Sequence, residues 1–291
     1  MNISKALLSL YGLILKSVRP NSGLTVLSFN PVIDHLFARI ERKQKMSYFG
    51  NSEIEVDIMD YHGRILWIFG SNDFKVSRTV NMLLEPGMSF LDIGANYGSI
   101  GFAAIESIGE IDEIHFFEPQ PDFAGKLRHT AASFATNKCH VHEIALFDQP
   151  GEMELTLAEN HSGVASLIKG HTDGSISVRV EKTYDYVFDI VGEKPFGVKI
   201  DVEEAEPFIL PDLMKFQNLQ FIVFEGDANQ EILFDILKKN SYTVYGIKKT
   251  IIKTYFSNVT NLEEWKNFHD FVAVPTNNER LNRIIKERVE A

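Results

Sequence analysis

Phe90-Leu91-Asp92-Ile93-Gly94-Ala95-Asn96-Tyr97-Gly98-Ser99-Ile100-Gly101 is the stretch whose reading decides the fold. Phe90, Leu91 and Ile93 read as the end of a buried strand, and residues 99–108 as the helix that follows. Between them Gly94 and Gly98 form a turn, because glycine accepts positive φ and lets a neighbour approach the backbone. A strand, a glycine turn and a helix open a doubly wound α/β sheet, whose ligands bind beyond the carboxyl ends of the strands.

The spacing of the turn narrows the ligand class. A dinucleotide fold shows G-x-G-x-x-G, its middle glycine opening the backbone to a pyrophosphate. Here the pattern is Gly94-x-x-x-Gly98-x-x-Gly101, with Asn96 where that middle glycine belongs. Asp92 beside the turn repels a pyrophosphate and suits an ammonium or sulfonium group. S-adenosylmethionine carries both and has no phosphate. Residues 113–117 then read as a second strand ending in Glu118-Pro119. An acid about 20 positions past such a turn is placed to accept hydrogen bonds from ribose hydroxyls. Asp92, Gly94, Asn96, Gly98 and Glu118 are therefore the candidate cofactor contacts.

Working outward, residues 122–134 read as a helix and 139–144 as the third strand. Adenine lies near the end of that strand in nucleoside-binding sheets, which adds Ala145 and Leu146 to the cofactor set. Segments 151–157 and 176–181 read as inserted strands. The polar loop 160–166 between them is a candidate lid over the site, with His161 a candidate acceptor contact or base. The fourth strand, 196–200, ends in Asp201-Val202-Glu203-Glu204-Ala205-Glu206, and the fifth, 219–224, ends in Glu225. These ends border the same crevice as Gly94. Asp201, Glu203 and Glu225 are the candidate catalytic carboxylates, since crowded like charges raise a pKa toward that of a useful base. Glu206 reads as a charge favouring the next helix's N-terminus. Two last strands, 242–247 and 270–274, flank a polar stretch containing Trp265.

Upstream of the key strand, residues 32–45 read as a helix opened by Pro31. Residues 53–59 and 64–69 read as a hairpin around Asp60-Tyr61-His62-Gly63, and 73–84 as a helix. Leu7, Leu10, Tyr11, Ile14, Leu15 and Val18 recur at helical spacing beside Lys5, Lys16 and Arg19. That pattern fits a helix packed on the catalytic domain or a partner subunit. It also fits one lying on a membrane surface, and the former is the simpler expectation. The apolar run is too short to span a bilayer.

The 291 residues divide into a helical extension (1–50), a catalytic domain (51–275) and a charged helical tail (276–291). A net charge of −11 argues against a nucleic-acid partner, for which phosphate neutralisation dominates affinity. The lone Cys139 forms no internal disulfide and fits a reducing, cytoplasmic setting. His140 and His142 share one face of their strand. With no cysteine beside them they read as a packed or solvent-facing pair, and no metal site is expected.

The ordered set Pro86-Gly87, Phe90 to Gly98, Phe117-Glu118-Pro119 and Lys199-Ile200-Asp201-Val202-Glu203 with Ala205-Glu206 resembles the FkbM-type methyltransferases. The resemblance runs from about residue 56 to about residue 273. It implies a class I methyltransferase (Rossmann-like) doubly wound sheet, S-adenosylmethionine as cofactor, and methyl transfer to a hydroxyl of a sugar or small metabolite. Glu204 and Phe147 stand where the family usually has glycine, which leaves the acceptor open. A non-catalytic binding protein on the same fold is the alternative, since fold does not fix function.

Overall fold

The computed structural model describes residues 3–21, 23–109, 111–134, 138–168, 170, 174–251 and 253–288. In chain order α1 (Ile3–Val18), α2 (Leu24–Ser28) and α3 (Pro31–Phe37) precede β1 (Lys43–Ser47) and β2 (Glu53–Asp57). Then come α4 (Tyr61–Phe69), α5 (Phe74–Leu83), β3 (Ser89–Ile93), α6 (Ser99–Ile108), β4 (Ile114–Phe117), α7 (Pro121–Ala131) and β5 (Cys139–His142). An insertion follows, made of β6 (Ala145–Phe147), β7 (Gly151–Thr156) and β8 (Ser175–Lys182). Alternation resumes with α8 (Thr183–Val191), β9 (Phe196–Ile200), α9 (Glu206–Leu213), β10 (Leu219–Glu225) and α10 (Gln230–Lys239). The chain closes with β11 (Tyr242–Lys249), β12 (Thr254–Val259), α11 (Leu262–Trp265), β13 (Asp270–Pro275) and α12 (Glu279–Lys286).

The main sheet has the order β12-β11-β13-β10-β9-β3-β4-β5. Strands β5, β4, β3, β9 and β10 pair in parallel, and β13 runs antiparallel to both β10 and β11. From β3 the chain winds outward through β4 and β5, then returns to β9 on the other side of β3. The crevice for ligands in such a sheet opens at that reversal, between β3 and β9. Every residue of β3, β4 and β9 is buried, as parallel strands covered on both faces require. One core packs α5, α6, α7 and the N-terminal helices on one face, and a second packs α8 to α11 on the other.

Several sequence expectations change here. The helix read over 32–45 is shorter: α3 stops at Phe37, and residues 43–47 form β1, with Lys43, Lys45 and Ser47 outward and Gln44 and Met46 inward. Lys43 and Lys45 face Glu55 and Glu53 across the hairpin at 3.5 and 3.2 Å, so tertiary pairing overrides helix propensity. This hairpin also straddles the expected boundary at position 50. The second arm of the expected hairpin, 64–69, is helical. The Asp60 carboxylate accepts from the Gly63 amide at 2.7 Å and caps α4, and a helix start so fixed outcompetes the β-branched composition behind it. The third strand ends at His142, and Ala145–Phe147 belongs to the separate sheet β6-β8-β7. The polar stretch before β13 contains a strand, β12, and Trp265 is fully buried with its indole donating to the Gly226 carbonyl at 2.8 Å. The tail, read as charged and helical, forms α12 and is anchored: Leu281 and Ile285 are buried and Asn282 accepts from the Tyr245 hydroxyl at 2.8 Å.

Candidate functional site

A cavity of about 730 Å³ opens at the β3/β9 reversal. Its size lies within the ~300–1,000 Å³ usual for small-ligand clefts. Its lining includes Gly94, Ala95, Asn96, Glu118, Ala145 and Leu146, and also Asp201, Glu203 and Glu225. Two of the expected cofactor residues, Asp92 and Gly98, are not among its lining.

Gly94 has φ 71°, and a Cβ there would overlap the Asp201 carbonyl oxygen. The close neighbour that demands glycine is thus the chain after β9, rather than a ligand. Gly98 has φ 75° and abuts Leu127 and Phe102, so packing fixes it too. Asn96 takes φ 51° in the same turn, a conformation asparagine tolerates.

Asp92 is 1% exposed and accepts from the Gly101 amide at 3.1 Å. Its cationic partner is Lys199, 3.3 Å away, where sequence reasoning had given it a ligand's charge. Lys199, itself buried, also donates to the Gly94 carbonyl at 2.6 Å and lies 3.5 Å from Asp201. Burial by itself lowers its pKa, but the attraction of Asp92 and then Asp201 outweighs that and raises it. Lys199 therefore ties β3, the glycine turn and β9 together. Its position inside an apolar strand was the available signal, and it was overlooked.

Glu118 differs. It is 3% exposed yet lines the cavity, with one oxygen accepting from the Asn96 amide at 2.8 Å and the other from the Gln120 amide at 2.9 Å. Burial pushes it up to about 7 against the pull of those two amides. Each oxygen keeps a further lone pair, so the carboxylate is held in place without its acceptor capacity being exhausted.

The three expected catalytic carboxylates come together. Oxygens of Asp201, Glu203 and Glu225 all lie within 4.8 Å of one another. Burial and then the charges of Asp201, Glu203, Asp270 and Asp227 push Glu225 up to about 8. Glu203 and Glu204 have φ 52° and 80°, left-handed conformations that favour glycine. The loop thus keeps a glycine-like path with glutamates in it. Glu206 is buried outside the cavity and accepts from the Val202 amide at 3.3 Å, as its helix-terminal position suggests.

The loop after β7 is a strap across the cavity. Its Ser162 is held by the Asp60 carboxylate, through the amide at 2.6 Å and the hydroxyl at 3.0 Å. The Tyr61 amide donates to the Asn160 carbonyl at 2.8 Å, and Tyr61 stacks on His161 at 4.5 Å. At its other end the Ser166 hydroxyl donates to the Glu203 carbonyl at 2.6 Å. Gly163 lies so close to the His62 ring that a Cβ would overlap it. His62, whose pKa burial lowers against the pull of Asp60 and Asp201, lines the cavity beside His161. His62 and Asp60 escaped sequence reasoning because a hairpin turn was read where α4 begins.

His140 and His142 stack on His115, forming a column on the outer part of the sheet. His115 and His142 hydrogen-bond at 3.1 Å, and His142 reaches the Tyr186 hydroxyl at 3.0 Å. Burial and the neighbouring imidazoles depress His115 to about 3 and His142 to about 4, so these two rings are neutral at ordinary pH.

No family model and no curated protein sequence matches the chain. Among solved structures, methyltransferase FkbM from Methylobacillus flagellatus KT aligns with TM-score 0.43 and 12% identity, over 66% of this chain and 44% of that one. This chain therefore corresponds to less than half of that protein. Precorrin-6y C5,15-methyltransferase from Geobacter metallireducens GS-15 aligns with TM-score 0.40 and 13% identity, over 68% and 86% of the two chains. TrmK of M. capricolum, solved with S-adenosyl-homocysteine, aligns with TM-score 0.42 and 8% identity, over 70% and 69%. The fold class rests on the strand order itself: a Rossmann-like, doubly wound sheet of the class I methyltransferase arrangement, with an antiparallel strand inserted beside β10.

Proposed function

We propose that the chain is an S-adenosylmethionine-dependent methyltransferase of FkbM type, acting on a hydroxyl of a sugar or other small metabolite. The observation that carries this reading is Glu118: a buried carboxylate, held by two backbone amides, facing a cavity at the end of β4. A carboxylate fixed in this way suits a pair of ribose hydroxyls, while Ala145 and Leu146 offer an apolar wall to adenine. The residues present fit the cofactor: Gly94 to Asn96 border the space for its amino-acid tail. When bound, S-adenosylmethionine supplies an electrophilic methyl group. The protein's tasks are to align an acceptor oxygen with it and to take the hydroxyl proton.

Asp201, Glu203 and Glu225 are the proposed acceptor-side groups. Mutual repulsion makes one of the three the readiest proton acceptor, and Asp201, with its side chain 45% exposed, is the most open to an incoming hydroxyl. An acidic wall of this kind opposes a phosphodiester, which disfavours RNA as acceptor. Calorimetric titration with S-adenosylmethionine, followed by transfer of labelled methyl to a panel of sugars and small alcohols, tests the reading. Binding without transfer to any acceptor would favour the non-catalytic alternative, and absence of binding would overturn the proposal.

A further inference from the structure

The strap over the cavity is fastened differently at its base and at its tip. At the base Thr156 and Ser166 pair in an antiparallel bridge, their backbone groups exchanging bonds at 2.9 and 3.1 Å. The tip is held by the turn between β2 and α4, which precedes the parallel sheet in the chain. There the Asp60 carboxylate accepts from both the amide and the hydroxyl of Ser162. Beside it the Tyr61 amide donates to the Asn160 carbonyl, and Arg42, paired with Asp57, donates to the Asn160 side chain at 2.7 Å. Asp60 is 6% exposed, so water competes little for its bonds, and hydrogen bonds to an ionised group are the strong kind. The same carboxylate caps α4 through Gly63, which fixes it whether the strap is near or away.

Under this clasp lies the cofactor side of the cavity. The Asn96 side chain donates to the Ser162 hydroxyl and the Gln120 side chain to the Ser162 carbonyl, each at 3.4 Å. Asn96 and Gln120 are the two residues whose backbone amides hold Glu118. Ser162, Gly163, Val164 and Ala165 line the same cavity as Glu118 and Leu146. From Asp60 at one end to the Glu203 carbonyl at the other, the strap bridges the space beside the proposed ribose site.

We propose that Asp60 is the latch of a gate: the strap swings off Asp60 about the Thr156–Ser166 pair to admit and release the cofactor. The proposal rests on S-adenosylmethionine being the ligand of this cavity. Lids of this kind commonly set the rate of product release. The latch joins two protein groups and takes neither partner from the cofactor. A bond of equal strength on both sides of an equilibrium leaves that equilibrium alone. It slows passage in both directions, because the strap opens for entry as for exit. Weakening the latch therefore quickens association and release together and leaves affinity nearly unchanged. A residue that merely shaped the ribose site would change the affinity instead, as Glu118 is expected to do.

The test follows tritiated S-adenosylmethionine on the full chain, by filter capture for association and by a chase of unlabelled S-adenosylhomocysteine for release. Asp60→Asn keeps a side-chain oxygen able to cap α4 but removes the charge that serves Gly63 and Ser162 together. Ser162→Ala leaves the cap untouched and deletes only the hydroxyl. Both rates should rise about tenfold in Asp60→Asn and about fivefold in Ser162→Ala, with the dissociation constant moving less than about twofold. Thermal midpoints matching the unaltered chain show that the fold is kept. Without cofactor, hydrogen exchange at the Ser162 amide should quicken about tenfold in Asp60→Asn. Unchanged exchange there means that Asp60 does not hold the strap, and overturns the proposal. So do unchanged cofactor rates, or faster release alone with affinity lost in proportion, and either leaves the cofactor reading standing. An unaltered chain that binds no S-adenosylmethionine overturns that reading and the gate with it.

Discussion

The ends of β3 and β4 each place an acid near the crevice, and the two are treated differently. Asp92 is compensated inside the protein by Lys199, while Glu118 is fixed by backbone amides and faces the cavity. At the ends of β9 and β10, Asp201, Glu203 and Glu225 crowd together instead. Position at a strand end therefore does not define a role; the partner supplied by the fold does. Charges satisfied by the protein serve architecture, and charges left facing the cavity remain available for a ligand or a proton.

The comparison is tested most severely at Lys199. Lys199→Met leaves Asp92 buried without its cation, and breaking a buried pair from one side costs about 3–5 kcal/mol. Urea unfolding should show a loss of that order, and a loss below about 1 kcal/mol would mean the pair is not what holds the turn. Glu118→Ala should leave the fold intact and weaken S-adenosylmethionine and its demethylated product alike. One charge-assisted hydrogen bond contributes about 1.5–3 kcal/mol, or roughly tenfold to a hundredfold in affinity by calorimetry. Unchanged affinity for the product would remove Glu118 from the ribose role.

Glu225 probes the crowded wall. Its folded pKa of about 8 lies above the ordinary value of 4.5, so the native state binds the extra proton. Stability from this group is then greatest below about pH 4.5, declines as pH rises toward 8, and levels off above it. Glu225→Gln removes that decline. Its thermal midpoint should match the unaltered chain at about pH 4 and exceed it at about pH 9, by the equivalent of roughly 1–3 kcal/mol. Equal midpoints at both pH values would show the carboxylates to be fully relieved by solvent. The smallest effect is expected at Glu204, whose φ of 80° strains a side chain. Glu204→Gly should raise stability by about 0.5–1 kcal/mol in the same urea assay, and a loss would mean the side chain offsets its backbone strain.

Much of the fold around the cavity was legible in the sequence because it is local. A strand, a positive-φ turn and a helix are written within Phe90 to Ile108, and β4, β9 and β10 announce themselves as short apolar runs ending in acids. The same locality placed Asp201, Glu203 and Glu225 in one region, which the parallel register of β9 and β10 makes a real cluster. Elsewhere local pattern misled. The Lys43–Lys45 run and the 64–69 segment satisfy both a helical and an extended reading, and pairing with β2 or capping by Asp60 chooses between them.

By itself, then, the sequence determined the doubly wound sheet, its glycine turn and the acids at its strand ends, because each is encoded by residues within one turn of their neighbours. Only the tertiary structure decided which acid meets a lysine and which meets a cavity. Lys199 lies 107 positions from Asp92 (199 − 92), and Ser162 lies 102 from Asp60. Pairings at such separations exist only once the sheet is assembled. The burial that follows, absent from the unfolded chain, turns like carboxylates into one paired with a lysine, one held by backbone amides at the cavity, and a crowded cluster.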